Sequence, residues 1–143
     1  MKNNQCIFCS PQRKYIIAEN ENAIATYFVR AIKKGHFVVA VREHIPTLTG
    51  LTTKQLCDIS ELMLQVSKIV ESELDAEKMY VAAIGDKDHH FHYHIYPKLK
   101  SDTPMGKHIM LNQGWKGEIF TEQSEDEVIN FVELIKEKIS INE

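Results

Sequence analysis

The chain has no apolar stretch long enough to cross a membrane, since a spanning helix needs about 18 such residues and no window approaches that number. Its first five residues lack the apolar core of about 7–15 residues that a secretory signal peptide requires. An excess of positive charge is also lacking, because the net charge is −3. We therefore expect a cytoplasmic protein with no membrane partner and no nucleic-acid partner, because nucleic-acid binding needs a basic face.

Cysteine is scarce, with three residues in 143. Three thiols cannot all pair with one another, and Cys6 and Cys9 form a CxxC motif that favours metal or redox chemistry in a cytosolic protein. Cys57 lies apart on a predicted helix, where we interpret it as a small buried hydrophobic residue. A chain of this length buries roughly two thirds of its unfolded surface, so no disulfide is needed for stability.

Linkers, repeats and low-complexity tracts are lacking as well, so we predict a single domain over residues 1–143. Runs rich in β-forming residues predict two strand pairs, at 23–29 with 36–41 and at 79–84 with 90–96, the last ended by Pro97. Apolar residues at helical spacing predict a long central helix from Thr52 to about Leu74 and a C-terminal helix after a capping sequence at 124–127. The expected class is α+β, a mostly antiparallel sheet with both helices packed against it.

Four of the seven histidines fall within six residues, at His89, His90, His92 and His94. On a strand, alternate side chains share one face about 6.6 Å apart. His90, His92 and His94 should therefore line one surface, while the apolar residues between them face the other. Imidazole can be a metal ligand, a general acid or base, or a nucleophile near neutral pH. The alternative interpretation is a solvated strand face or an adventitious metal-binding patch.

The segment His90-Phe91-His92-Tyr93-His94-Ile95-Tyr96 resembles the signature of the histidine triad family, in which three histidines alternate with apolar or aromatic residues. The resemblance extends to Gly35-His36, to Val41–His44, and to Gly85 five residues before the first triad histidine. It implies the α+β fold of that family over most of the chain.

The resemblance implies a nucleotide hydrolase or transferase, often a homodimer, that cleaves at the α-phosphate through a nucleotidyl-histidine intermediate. His92 would attack the phosphorus, and His94 would bind the phosphate or the leaving-group oxygen. His36 would support the triad. Diadenosine polyphosphates are slightly favoured over nucleoside phosphoramidates as substrates. The alternative is a non-enzymatic module of the same fold that binds a nucleotide or a protein.

A metal site is implied by the same resemblance. Zinc-bearing members of the family have two cysteines, a histidine and the first triad histidine at positions that this chain matches with Cys6, Cys9, His44 and His90. Two thiolates and two imidazoles are a set that tetrahedral Zn²⁺ accepts in a closed structural site. The expected Zn²⁺ would tie the N-terminal arm, residues 1–14, to the catalytic strand.

Some positions depart from the family pattern. Many members have a glutamine and then a serine or threonine after the glycine that is here Gly85, and these groups hold the phosphate. This chain has Asp86 and Lys87 there, followed by a second aspartate. The acids would repel phosphate and Lys87 would attract it, so we place Gly85, Asp86 and Lys87 at the phosphate or in support of the triad. The aspartate that binds the ribose in many members is replaced here by an apolar residue near Phe28. The asparagine that lies upstream of the glycine in those members falls near Met79.

Overall fold

The computed structural model describes residues 6–28, 33–102, 104 and 123–142. Five antiparallel strands form one sheet, in the order β1-β2-β3-β5-β4: β1 Ile16–Glu19, β2 Ala23–Tyr27, β3 Phe37–Val41, β4 Ala76–Ala82 and β5 His92–Leu99. The helices are α1 Thr53–Glu73 and α2 Glu125–Asn142, and short 3₁₀ turns span Arg13–Tyr15 and Leu48–Gly50. The predicted α+β class is confirmed. Among the described residues, no helix combines the length and hydropathy needed to cross a membrane.

The neighbouring interior strands β2 and β3 are buried along their whole length because both faces of the sheet are covered there. Side chains alternate between these faces. Val39 points into the main core, while Val38 and Ala40 lie in a smaller apolar cluster on the other side. The register of β5 against β3 places His94 opposite Val38 and His92 opposite Ala40. That second side of the sheet therefore carries the histidines, and we call it the histidine face.

α1 covers the main-core face of the sheet and begins at a capping box. Thr52 Oγ1 accepts the backbone N–H of Gln55 at 3.1 Å, and Gln55 Oε1 accepts the backbone N–H of Thr52 at 2.9 Å. The inward stripe of α1 is apolar: Ile59, Leu62, Val66, Ile69 and Val70. Cys57 is exposed, so its interpretation as a buried residue is wrong. It precedes Ile59 by two residues, which turns it about 200° around the helix and away from the core.

α2 packs against α1 and β1 through its own apolar stripe: Phe131, Val132, Ile135 and Ile139. Its start is set by Ser124, whose Oγ accepts the backbone N–H of Glu127 at 3.2 Å. The predicted C-terminal helix and the capping role of Ser124 are confirmed.

The predicted strand limits need correction. β5 begins at His92 rather than residue 90 and continues past Pro97 to Leu99, while β4 covers 76–82 rather than 79–84. Pairing with β3 ends at Ile95, so at Pro97 only the β4 side of the strand has a partner, Met79. Proline has no backbone N–H to donate, and this is tolerated where one side of a strand has no partner strand. β2 ends at Tyr27, and residue 29, the predicted limit, lies outside the described residues.

We expect Gly35→Ala to lower the free energy of unfolding by about 3 kcal/mol, as measured by urea titration. Gly35 has a φ of +93°, and an added Cβ would lie 2.7 Å from Leu74 Cδ1 and 3.0 Å from Pro97 Cγ. Gly85→Ala is the matched control, because Gly85 has a φ of +68° but its Cβ would meet only Asp88 O at 3.8 Å. The control should lose about 1 kcal/mol from backbone strain alone. Equal losses in both variants would contradict the packing argument.

Candidate active site and metal cluster

Four side chains of the types that ligate metals converge at one end of the histidine face: Cys6, Cys9, His44 and His90. Sγ of Cys6 lies 3.3 Å from Nδ1 of His90, Sγ of Cys9 lies 3.3 Å from Nδ1 of His44, and the two Nδ1 atoms are 3.2 Å apart. All four ligand atoms lie within 4.8 Å of one another. Neighbouring ligand atoms in a tetrahedral zinc site are about 3.3–3.8 Å apart, given bonds of about 2.0–2.3 Å. The donor set and its spacing could therefore hold a metal ion.

The chain brings these ligands together from three segments. The two cysteines lie in one turn that is closed by a backbone hydrogen bond of 3.2 Å between them. His44 follows β3, and His90 precedes β5, which pairs with β3. A backbone hydrogen bond of 2.6 Å from the Phe91 N–H to the Ile45 carbonyl holds the two histidine-bearing segments side by side. The cluster therefore joins the N-terminal arm to the start of the histidine strand.

His90 is fully buried, and a backbone group orients its ring. Nε2–H of His90 donates to the Val41 carbonyl at 2.5 Å, so that Nδ1 is left to face the thiols. Burial lowers the pKa of His90, and its imidazole is neutral near pH 7, as a metal ligand must be. Burial raises the pKa of the Cys6 thiol, so a thiolate at that position requires a cation beside it.

A chain of hydrogen bonds links the other histidines of this face. Nδ1–H of His92 donates to the His90 carbonyl at 2.6 Å. Nε2 of His92 lies 3.0 Å from Nε2 of His94, and Nδ1 of His94 lies 3.0 Å from Nε2 of His36. Because Nδ1 of His92 carries the proton, Nε2 of the neutral ring keeps its lone pair. His92 is thus held in the tautomer that a nucleophilic imidazole needs.

Burial keeps two of these rings neutral. It lowers the pKa of His92, although the hydrogen bond to the His90 carbonyl and the charge of Asp88 act in the opposite direction. His36 is only 2% exposed, and burial lowers its pKa well below the usual range, with a further contribution from His94 and His92. His94 therefore lies between two imidazoles that are uncharged near pH 7.

Two phenylalanines enclose the histidine chain. Phe8 stacks on His92, with ring centroids 4.2 Å apart and an interplanar angle of 28°. The ring of Phe28 meets that of His94 edge-on, with centroids 4.9 Å apart, and its centroid lies 4.8 Å from that of His36. Both phenylalanines also line an open, largely apolar pocket of about 90 Å³ between the N-terminal arm, β2 and β3. The pocket therefore places aromatic surface beside the histidine chain.

A second opening borders His92 directly. It is a groove of about 180 Å³, bounded by residues 84–88 together with His92 and His94. Asp86 and Lys87 are exposed on its rim, so the groove is charged where the first pocket is apolar. The imidazole of His92 borders the groove directly and the apolar pocket through Phe8.

Comparison with known proteins identifies the family. The family model of the HIT domain matches residues 11–101. This chain therefore belongs to the histidine triad (HIT) family. An uncharacterized HIT-like protein of Mycoplasma genitalium is 30% identical over 115 residues, which are 74% of this chain and 82% of that protein.

Solved structures show the same fold. A hypothetical histidine triad nucleotide-binding protein from Sulfolobus tokodaii is similar, with a TM-score of 0.74, 21% identity and coverage of 95% and 93% of the two chains. A Zn-bound HIT protein from Mycobacterium smegmatis gives a TM-score of 0.73, 17% identity and coverage of 97% and 98%. The diadenosine triphosphate hydrolase of Plasmodium falciparum gives a TM-score of 0.71, with 15% identity and coverage of 91% and 79%. At these identities the likeness establishes the fold alone.

The structure of this HIT protein places every predicted site residue on the histidine face or at its rim. The predicted ligands form the cluster, and the remaining residues border the hydrogen-bonded chain or the charged groove: His36, Gly85, Asp86, Lys87, His92 and His94. Sequence reasoning missed Phe8, which lies between the cysteines of the CxxC motif and contacts His92. Its position within that motif was the available signal, because a residue flanked by two members of the cysteine and histidine cluster must lie near that cluster.

Proposed function

We propose that this HIT protein is a nucleotide hydrolase or transferase that cleaves its substrate at the α-phosphate through His92. The observation that carries the proposal is the hydrogen bond from His92 Nδ1–H to the His90 carbonyl, which leaves the Nε2 lone pair beside the charged groove. A neutral imidazole whose unprotonated nitrogen borders an opening can act as a nucleophile and form a covalent intermediate.

In the first step, the Nε2 lone pair of His92 forms a bond to the α-phosphorus while the bond from phosphorus to the leaving atom breaks. The electron pair of that bond stays on the leaving atom, which takes the Nε2 proton of a His94 protonated on both ring nitrogens. His94 keeps its Nδ1–H, which donates to Nε2 of His36, and the burial of His36 favours the neutral ring that can accept it. The leaving group departs protonated, and His92 carries the nucleotidyl group.

In the second step, water attacks the phosphorus of the nucleotidyl-histidine. The bond between nitrogen and phosphorus breaks, and its electron pair returns to Nε2 of His92. The neutral Nε2 of His94 takes one proton from the water, which restores the doubly protonated ring. The product is a nucleoside monophosphate, and an acceptor other than water would make the reaction a transfer.

The apolar pocket and the charged groove suit the two halves of such a substrate. The apolar pocket behind Phe8 and Phe28 offers aromatic surface to a nucleobase, and its described walls carry no charged side chain. The charged groove offers Lys87 to the phosphates or the leaving group, while Asp86 opposes a highly anionic one. The scissile phosphorus would lie between the two openings, at Nε2 of His92.

We assign the cysteine and histidine cluster to a structural Zn²⁺, which would accept Cys6, Cys9, His44 and His90 as its four ligands. With all four positions filled by protein, the ion would have no open position for substrate. The ligands would then fix the N-terminal arm against the start of β5, including the His90 carbonyl that accepts the His92 proton. The Zn-bound relative from Mycobacterium smegmatis supports this choice of metal.

The substrate class is tested by AMP release from diadenosine polyphosphates and from adenosine phosphoramidate, each over concentrations that extend from below to above KM. We expect release from both, with a modestly larger kcat/KM for the diadenosine polyphosphate, as the diadenosine triphosphate hydrolase of the same fold suggests. A larger value for the phosphoramidate would show that the charged groove favours a neutral leaving group. Nucleotide binding by calorimetry without release of AMP from either compound would contradict the enzyme proposal and support a binding module.

A further inference from the structure

We propose that Phe8 is a positioning residue for His92 and stabilises the charge that forms on its ring, an inference that rests on the proposed reaction. Phe8 is 3% exposed and packs with Val38 and Ala40 in the small apolar cluster of the histidine face. Its ring is stacked on His92 with a centroid separation of 4.2 Å. The centroid of His90 lies 5.8 Å away, and the planes of those two rings are inclined by 50°. Of these two histidines, the stacked partner is the nucleophile and not the metal ligand.

The hydrogen bonds of His92 do not hold its ring throughout the reaction. Both bonds lie at ring nitrogens, one from Nδ1–H to the His90 carbonyl and the other between Nε2 and His94. When Nε2 bonds to phosphorus, the contact with His94 is lost and only the Nδ1–H bond remains. A single hydrogen bond leaves the ring free to tilt out of its plane. The face of Phe8 opposes that tilt, because it lies against the imidazole.

The same contact favours the intermediate electronically. Once Nε2 carries the phosphorus and Nδ1 keeps its proton, the imidazole of His92 is a cation. An aromatic face within about 6 Å of a cation attracts it through the negative potential above the ring. The centroid separation of 4.2 Å meets this condition. This attraction arises as the positive charge forms on the ring, and it therefore acts on the chemical step.

The position of Phe8 is set by the residues on either side of it. Cys6 and Cys9 lie in the metal cluster, so the ring between them is held at both ends of a short turn. This connects the cluster to the nucleophile by a second route, besides the carbonyl of His90. It also explains why an aromatic side chain in the N-terminal arm can lie against a ring of β5.

The test compares wild type, Phe8→Leu and Phe8→Tyr in single-turnover cleavage of a diadenosine polyphosphate at saturating concentration, with rates normalised to metal content. Leucine keeps the apolar contact but has no aromatic face, and we expect its rate to fall about tenfold. Tyrosine keeps the face and should restore the rate to within about threefold of wild type. If Phe8 served only as a wall of the nucleobase pocket, Phe8→Leu would instead raise KM and leave the saturating rate unchanged. That outcome, or equal losses in the two variants, would overturn the proposal.

A second readout needs no substrate, so failure of the proposed function and failure of this inference can be told apart. The Nδ1 proton of His92 should give a slowly exchanging downfield resonance in the NMR spectrum of wild type, because a stacked ring keeps its hydrogen bond to the His90 carbonyl. Phe8→Leu should broaden or lose this resonance, and Phe8→Tyr should retain it. A resonance that is unchanged in Phe8→Leu would contradict a positioning role, whether or not the protein cleaves nucleotides.

Discussion

Replacing His92 with asparagine is expected to lower kcat for nucleotide cleavage by at least about 10³-fold, as removal of a nucleophile usually does. The asparagine amide can still donate to the His90 carbonyl, as His92 Nδ1–H does at 2.6 Å, so the strand should keep its local geometry. It offers no ring nitrogen to phosphorus, so no nucleotidyl intermediate can form. The rate of AMP release under saturating substrate measures the effect, and the metal content should stay unchanged.

His89→Asn is the matched control for this prediction. His89 is exposed and lies three residues before His92, outside the hydrogen-bonded chain described above. Its substitution removes an imidazole from the same histidine-rich segment and should leave the rate within about twofold of wild type. Comparable losses of rate in the two variants would show that the reaction does not pass through His92. A rate in His92→Asn above one tenth of the wild-type rate would show the same.

Cys9→Ser is expected to reduce bound zinc from about one ion per chain to nearly none, as measured by mass spectrometry of the metal. Sγ of Cys9 lies 3.3 Å from Nδ1 of His44 and 3.4 Å from Nδ1 of His90, so its loss removes a ligand at the centre of the cluster. Structural zinc contributes folding energy directly, although a chain with its own core depends on it less than a small peptide does. A loss of about 3 kcal/mol would lower Tm by about 10 °C.

Cys57→Ser is the control for the cluster variant, because Cys57 is an exposed cysteine on α1. It should retain both the metal and the Tm of wild type. If zinc remained bound at full occupancy after substitution of Cys9 together with Cys6, the histidine strand itself would be the ligand set. That result would contradict the assignment of the cluster and support a metal-handling role instead.

The alternation of histidines with apolar residues predicted which side chains share a face, because this alternation is a local property of one strand. Residues 92 and 94 share a face by alternation alone, and the structure places their Nε2 atoms 3.0 Å apart. Tyr93 and Ile95 contact the main core on the other face, as the alternation predicts. The stripe of α1 was predictable for the same reason, since helical spacing brings its apolar residues onto one side.

Contacts between distant segments were not predictable from the residues alone. The stacking of Phe8 on His92 joins positions 84 residues apart and depends on where the arm crosses the sheet. The path of β5 through Pro97 depends on the end of the β3 pairing at Ile95, which is a property of the sheet register. The meeting of the cysteines with His44 and His90 was expected only through the family resemblance, because their sequence separations specify no geometry.

Trapping the covalent intermediate tests the central claim most directly. Wild type is mixed with a diadenosine polyphosphate, quenched within one turnover without acid, and analysed by intact mass and peptide fragmentation. We predict a single nucleoside monophosphate adduct located on His92, which decays as AMP is released and is absent from His92→Asn. An adduct on His94 or elsewhere, or turnover at the wild-type rate with no adduct at any time, would contradict attack by His92.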